Sequence, residues 1–441
     1  PHPGITTMWL SVLTIDSESW AVRRLPIAMA TVALIVAAAY FVIRLWGIIP
    51  GILVGLLLAF NPILIAHSRV LAMDALLAMF LLLGVLAFLI WMEEKQRIYL
   101  ILSGATGALA VLSKMSGAVI LPFMGIVLAT LLLQRRLSWR DTLRAGAVWI
   151  AGFLATFVIV FPAILTDFSY VWSGTQEFFA TEHYQQAVHA LGPWWYLQAL
   201  LIWTTPLQLL AIIGLIVATT IPANMRRHLL ALGGFTLLFF LAMQFSIKKG
   251  DRYILPVFIT FDVITAAYFS SLWIHFRQGP SNKKSVRQLV TAVLLAAAGL
   301  ATIWQLINIT AIHPYALAYR NPFFRQVAIG RTLGWGEGLD LAAEYLNQKP
   351  DAENMLVAAY YEGQFGYRFQ GKVTSAERLA KETSAEIGAA YVVLYRTMEG
   401  RAPERWETKV LQQFAGQSPE HVIRLNGEDY AWIYNVEKEN N

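Results

Sequence analysis

Ten stretches of roughly twenty mostly apolar residues follow one another through the first 311 residues, each long enough as a helix to cross the hydrocarbon core of a bilayer. They read as spans near 26–45, 48–67, 71–92, 98–113, 116–134, 142–163, 198–221, 227–246, 252–273 and 288–311. Inside lipid the backbone must satisfy its own hydrogen bonds, so a chain of this pattern folds as a mainly α, polytopic transmembrane helical bundle. Composition agrees, with 57% of the 441 residues hydrophobic and only 14% charged.

Alternate loops differ in charge. One set holds 13 Lys and Arg: Arg44, Lys95, Arg97, Arg135, Arg136, Arg140, Arg144, Arg226, Arg227, Arg277, Lys283, Lys284 and Arg287. The other holds seven: Arg23, Arg24, Arg69, Lys114, Lys248, Lys249 and Arg252. The positive-inside bias assigns the richer set to the cytoplasm, which puts residues 1–25, the loop 164–197 and everything after 311 outside a plasma (inner) membrane. Seven cations kept on the disfavoured face, beside apolar helices, suggest a site for an anionic group at the membrane edge. A lipid-linked phosphate is the obvious candidate. The first residues lie outside without a leader, so a preceding span is expected upstream of Pro1.

Charge also divides the chain at the last span. Fourteen of the 34 Lys and Arg follow residue 313, with 17 of the 28 Asp and Glu, so the tail is net −3 and the membrane part +9. The division is therefore 1–313, membrane, and 314–441, a small soluble α/β domain. There the pattern predicts a helix over Leu339 to Leu346, a strand over Met355 to Tyr361, a strand over Ala390 to Tyr395, a helix over Pro403 to Phe414 and a strand over Tyr430 to Tyr434. The basic excess belongs to the membrane part, so nucleic-acid binding has no support. With no Cys, disulfides and thiolate metal sites are excluded. No phosphate-cradling Gly loop, nucleophile elbow or internal repeat is visible.

The polar segments between spans form an ordered series: Pro1-His2-Pro3-Gly4, Arg23-Arg24-Leu25-Pro26, Ser68-Arg69 with Met73-Asp74, Ser113-Lys114, Glu182-His183, Gly192-Pro193-Trp194-Trp195-Tyr196, and Lys248-Lys249-Gly250-Asp251-Arg252-Tyr253. This series resembles the polyprenyl-phosphate-sugar glycosyltransferases, in particular the protein O-mannosyltransferase and lipid A aminoarabinose transferase group of the C-type glycosyltransferase fold. In the tail, Asn321-Pro322 and Gly334-Trp335-Gly336-Glu337-Gly338 are similar to the extracytoplasmic tail of a prokaryotic branch of that group. The resemblance implies an inverting transfer, in which an acceptor hydroxyl of a protein or lipid attacks the anomeric carbon of a sugar on a polyprenyl phosphate. Such chemistry needs a carboxylate to take the acceptor proton and cations to stabilise the leaving phosphate. In these families the base lies in the first external loop, which here falls before Pro1, so the chain as given is expected to be inactive. His2 and Gln186 depart from the resemblance, standing where relatives often carry Lys and Arg.

Each candidate carries two readings. Asp74, at the start of a span, is a supporting catalytic carboxylate or one half of a structural Arg69–Asp74 clasp. Arg69, Lys114, Lys248, Lys249, Arg252, Tyr253 and His2 are donor-phosphate ligands, or else basic side chains that snorkel to the interface. Glu182 and His183 line the sugar site or belong to a solvated loop. Arg23 and Arg24 fit an amphipathic interfacial helix, while Phe178-Phe179 and Trp194-Trp195-Tyr196 fit an aromatic belt. Asp262, inside a span, is assigned a hydrogen bond to a neighbouring helix. His2, His183 and His189 lack metal spacing, so no obligatory cofactor or metal is expected, with a divalent cation near Asp74 left open. Two other functions compete: a transporter or flippase for lipid-linked anions, disfavoured because no paired interrupted halves are visible, and a non-catalytic lipid-binding scaffold.

Overall fold

A computed structural model describes residues 4–169, 171–177, 192, 194–217, 221–246, 249–278, 286–328, 334–399, 401 and 404–436. The chain divides into two compact units, Pro1–Ile307 and Asn308–Asn441.

The first unit is helical: α1 (Ile5–Val12), α2 (Trp20–Trp46), α3 (Ile48–Ala59), α4 (Pro62–Ser68), α5 (Asp74–Glu94), α6 (Arg97–Ser113), α7 (Ile120–Leu133), α8 (Trp139–Val160), α9 (Trp195–Trp203), α10 (Pro206–Val217), α11 (Ala223–Gln244), α12 (Leu255–Gln278) and most of α13 (Val286–Ile312), whose last five residues fall in the second unit. Among the described residues seven helices are long and apolar enough to cross a membrane, or nine if each bent pair is one span. Over the described residues the ten stretches read from the sequence are largely helical, but three are not simple spans. The stretch 48–67 breaks into α3 and α4, bent by 60°, and 198–221 into α9 and α10, bent by 109°. Each second arm begins with proline, Pro62 or Pro206, whose missing N–H and ring forbid a continuous ladder. The third, α6, has 17 residues.

Burial separates two helices from the rest. The apolar windows of α5 and of the segment Asp251–Phe276 are 89% and 83% buried, against 11–28% for the other five spans. Apolar side chains such as Met29, Ile150, Leu154 and Leu300 face outward, as a lipid-facing surface requires. Small residues let α6 and α8 approach closely: a Cβ on Gly104 would lie 2.2 Å from the Trp149 carbonyl oxygen. There the Trp149 indole donates to Ser103 Oγ (3.0 Å), which donates to the Gly84 carbonyl (2.7 Å) and ties in α5.

Side-chain contacts mark the two ends of the bundle. At one, Arg44 at the close of α2 grips both oxygens of Glu94 at 2.8 Å, and Glu93 meets Arg227 (3.3 Å) and His228 (2.9 Å). At the other, the starts of α5 and α12 meet the end of α6. Before them α1 exposes Met8, Trp9 and Val12, an apolar surface that suits an interfacial helix.

The second unit is built on a five-stranded sheet of order β2-β1-β3-β5-β4: β1 (Leu356–Ala359), β2 (Lys372–Ser375), β3 (Tyr391–Tyr395), β4 (His421–Leu425) and β5 (Glu428–Asn435). β1 pairs parallel with β2 and β3, and β5 pairs antiparallel with β3 and β4. Helices α14 (Leu339–Asn347), α15 (Glu362–Gly366) and α16 (Trp406–Gln413) accompany it. The three strands expected from sequence are present, and β2 and β4 are additions. Both are edge strands with partly exposed residues, so neither shows a strong apolar run. The β4–β5 turn, Asn426-Gly427, has φ of 51° and 79°, the left-handed pair that a tight hairpin requires.

Glu420, beside β4, binds this sheet to α14. Burial alone would raise its carboxyl, but hydrogen bonds from Lys349, Asn435 and Tyr345, with the Lys349 charge, outweigh it and hold the group at about 2. A folded value below the unfolded 4.5 gives stability that is present above that pH and lost as pH falls toward 2. Glu420→Gln should therefore weaken protection of the β4–β5 amides at pH 7 by on the order of 2 kcal/mol once solvent screening is allowed for. Hydrogen exchange should show the gap from the parent closing between about pH 4 and pH 2.

Candidate functional site

Asp74 is the first residue of α5, where the helix dipole favours an anion. Only 3% of its side chain is exposed. A carboxylate so buried needs partners, and two cations supply them. Lys114 Nζ donates to Oδ1 at 2.8 Å, and Arg252 Nε lies 3.9 Å from Oδ2.

The chain brings these groups together by ending helices there. α6 stops at Ser113, and Lys114 is extended (φ −159°) before a 3₁₀ turn, Met115–Val119, leads into α7. Gly4 fixes this corner, because its backbone touches Ser113 and a Cβ would lie 1.8 Å from the Ser113 oxygen. Thr6 Oγ1 and Ser113 Oγ share a hydrogen bond of 2.7 Å. Arg252 and Tyr253 lie in a second 3₁₀ turn, Asp251–Ile254, that runs into α12. The Tyr253 ring is shared, with Lys114 Nζ 3.7 Å from its centroid and the Arg252 guanidinium carbon 5.3 Å.

The turn carrying Arg252 is held from behind by α9. Trp203 Nε1 donates to Asp251 Oδ2 at 2.7 Å, and the Gly250 amide donates to the Tyr196 hydroxyl at 3.3 Å. Lys249 Nζ sits 5.5 Å from the Tyr196 ring and donates to the Gln244 carbonyl. Tyr196 is fully buried, so the aromatic-belt reading of 194–196 is corrected: Trp194 is exposed, but Tyr196 is a strut. Its polar neighbours explain this, because the hydroxyl meets a backbone amide that lipid could not satisfy.

Among the sequence candidates, Asp74, Lys114, Arg252 and Tyr253 meet in one cluster. Arg69 caps α4 five residues before Asp74. Partial desolvation, and after it the like charge of Arg24, holds its guanidinium below the ordinary value. Lys249 belongs to the adjoining strut. Arg23 opens α2, stacks over Trp20 at 5.3 Å and donates to the Ser17 carbonyl. His2, Lys248, Glu182, His183, Gln186, His189 and Phe178-Phe179 lie outside the described residues. Sequence reasoning missed His67, buried in α4 within electrostatic reach of Asp74, Arg252 and Lys114. It also missed the Trp203–Asp251 bond, since their separation of 48 residues carries no local signal. In the tail, Gly334–Gly338 packs on β3: Tyr395 Oη donates to Glu337, and Gly336 and Gly338 have φ of 99° and 82°.

Among the described residues no three His, Asp or Glu side chains converge as metal ligands. A divalent ion at Asp74 would have to displace the cations that face both its oxygens.

Over residues 9–171, which include Asp74 and Lys114, the chain matches the family model described as dolichyl-phosphate-mannose-protein mannosyltransferase. The apo oligosaccharyltransferase of Archaeoglobus fulgidus is similar in structure, with a TM-score of 0.50 and 12% identity over 90% of this chain and 62% of that one. At that identity the likeness shows a shared fold. ArnT from Cupriavidus metallidurans, solved bound to undecaprenyl phosphate, aligns over 98% of this chain and 87% of its own, with 15% identity and a TM-score of 0.48. No curated protein matches the sequence.

Removing one partner of a buried ion pair strands the other. Lys114→Met should lower stability by about 3–5 kcal/mol, and Arg252→Ala, whose side chain is 38% exposed and more distant, by much less. Thermal unfolding in detergent should show this order, with Asp74→Asn combined with Lys114→Met recovering most of the loss.

Proposed function

We propose that this chain belongs to a membrane glycosyltransferase that moves a sugar from a polyprenyl-phosphate donor to an acceptor hydroxyl of a protein or lipid. On this reading the transfer inverts the anomeric centre and takes place on the extracytoplasmic side, where the C-terminal unit also lies. One observation carries it: two cations from separate loops converge on a single carboxylate at the starts of the two most buried helices. The trio carries a formal charge of +1, which favours an anion. At a helix end in a membrane, the fitting anion is a lipid phosphate.

The residues divide the work. Arg252 presents a planar fork to phosphate oxygens, and Lys114 adds a point charge already held in place by Asp74 and the Tyr253 ring. As the bond from anomeric carbon to phosphate oxygen breaks, charge grows on the oxygens these cations face. Asp74 is a positioning group, because both its oxygens are turned to cations, and the proton of the acceptor hydroxyl goes to a base elsewhere. The family model over 9–171 supports the donor class. On this reading the charge growing on the leaving phosphate is met by side-chain cations.

The two broken helices favour a second reading, transport of lipid-linked anions, because interrupted helices bind cargo in many transporters. Against it, the polar side chains at the breaks, Asn61 and Gln208, are buried and already bonded to Asp262.

Titration with a polyprenyl phosphate, and with the neutral polyprenol as control, tests the site. The parent should prefer the phosphate, and Arg252→Ala should weaken binding on the order of ten- to a hundred-fold, as expected for lost charged hydrogen bonds. Arg424→Ala in the exposed pair with Asp429 should change nothing. Equal affinity for phosphate and alcohol would remove the assignment.

A further inference from the structure

Asp262 lies in α12, in one of the two most buried spans, and it does not touch the cation cluster. Both its oxygens are used. Oδ2 accepts from Asn61 Nδ2 and Oδ1 from Gln208 Nε2, each at 2.7 Å. All three residues are buried, with exposures of 2%, 2% and 0% for Asp262, Asn61 and Gln208.

Both donors stand at helix breaks. Asn61 separates α3 from α4 and caps α4 by accepting the Leu64 amide at 3.1 Å. Gln208 closes the α9–α10 break, where its Oε1 accepts the Thr205 amide (2.8 Å) and its own amide donates to Thr205 Oγ1 (3.3 Å). Its Nε2 also donates to the Phe258 carbonyl at 3.1 Å. These second bonds lock each amide: neither can turn its oxygen toward residue 262 without losing a cap. Residue 262 must therefore accept from two donors through two oxygens, and a carboxylate does this where an amide cannot.

The arms that leave the breaks both lead to the cluster. α4 runs to His67 and Arg69, just before Asp74. α9 carries Trp203 and Tyr196, which hold Asp251 and Gly250 beside Arg252. We infer that Asp262 is a positioning residue that pins the breaks of both bent helices to α12 and so sets where the two arms hold the Asp74–Lys114–Arg252 cluster. The role as a pin stands on the hydrogen bonds alone, while its consequence for lipid phosphate rests on the function proposed above.

An exchange of side chains tests it. In Asp262→Asn alone, the new NH₂ meets a locked donor and one bond is lost. In the double variant Asn61→Asp, Asp262→Asn, every bond can be rebuilt. The amide now at position 262 accepts from Gln208 and donates to the carboxylate now at position 61, which still caps Leu64. The full chain in detergent should show faster amide exchange over 62–69 and 195–203 in the single variant, and parental exchange in the double. Affinity for a short polyprenyl phosphate should fall on the order of ten-fold in the single and return in the double. Gly104→Ala, which strains α6 against α8, controls for general destabilisation and should leave that affinity unchanged.

Unchanged exchange in the single variant, or no recovery in the double, overturns the pin. A loss of affinity in Gly104→Ala equal to that in Asp262→Asn overturns the positioning role. Exchange that responds as expected in a parent that shows no preference for the phosphate leaves the pin standing and sinks the lipid-phosphate site instead.

Discussion

The arrangement of the membrane unit turns on a carboxylate that cannot reach water. Asp74 begins a helix that protein surrounds for most of its length, and an ion there must be paired or neutral. Pairing it with Lys114 joins the start of α5 to the end of α6, and the approach of Arg252 joins both to α12. The same contacts that make the charge tolerable draw three loops together, so the need to satisfy one buried group builds a cationic corner. An ion pair of this kind adds little net stability over a packed apolar contact. On the function proposed above, its value lies in what the cations can do once they are held.

A second buried carboxylate works in the opposite sense. Asp262 meets amides instead of cations, and it organises backbone instead of charge. Broken helices inside a membrane expose carbonyl and amide groups that lipid cannot satisfy. Here Asn61 and Gln208 bond the loose backbone with one end of the side chain and Asp262 with the other, while Gln305 donates to the Phe60 carbonyl at the first break. The bends then become fixed elbows. The short arm α4 lies against α5 and α12, and α9 against the Asp251–Ile254 turn that opens α12, so the two acidic sites are linked through covalent and packed structure.

The spans were legible because hydrophobic length is a property of a stretch by itself. Their breaks were not: Pro62 and Pro206 are plain in the sequence, but the apolar run continues past both and reads as one span. Lys114, Arg252 and Asp74 were each marked by being charged next to a span, whereas their grouping depends on α5, α6 and α12 packing with ends aligned. Asp74 and Lys114 are 40 residues apart, and no local pattern selects Lys114 over Arg69. For Asp262 a hydrogen bond to a neighbouring helix could be inferred from burial, but its partners, 201 and 54 residues away, could not. In the C-terminal unit the central strands β1, β3 and β5 announce themselves by apolar runs, while β2 and β4, at the edges, are half polar and depend on their neighbours for definition.

Counting cations in loops distinguishes the two ends of the bundle by number, but the structure distinguishes them by pairing. At the richer end Arg44 has Glu94, and Arg227 and His228 share Glu93, so acidic and basic groups at the helix ends answer one another. At the poorer end two cations divide one carboxylate, and Arg69 feels the like charge of Arg24 nearby. Placing like charges close together costs energy, and on the function proposed above an anion would offset that cost. Fewer cations, gathered around one acid and held by buried struts, therefore make a better anion site than a larger number spread over separate loops.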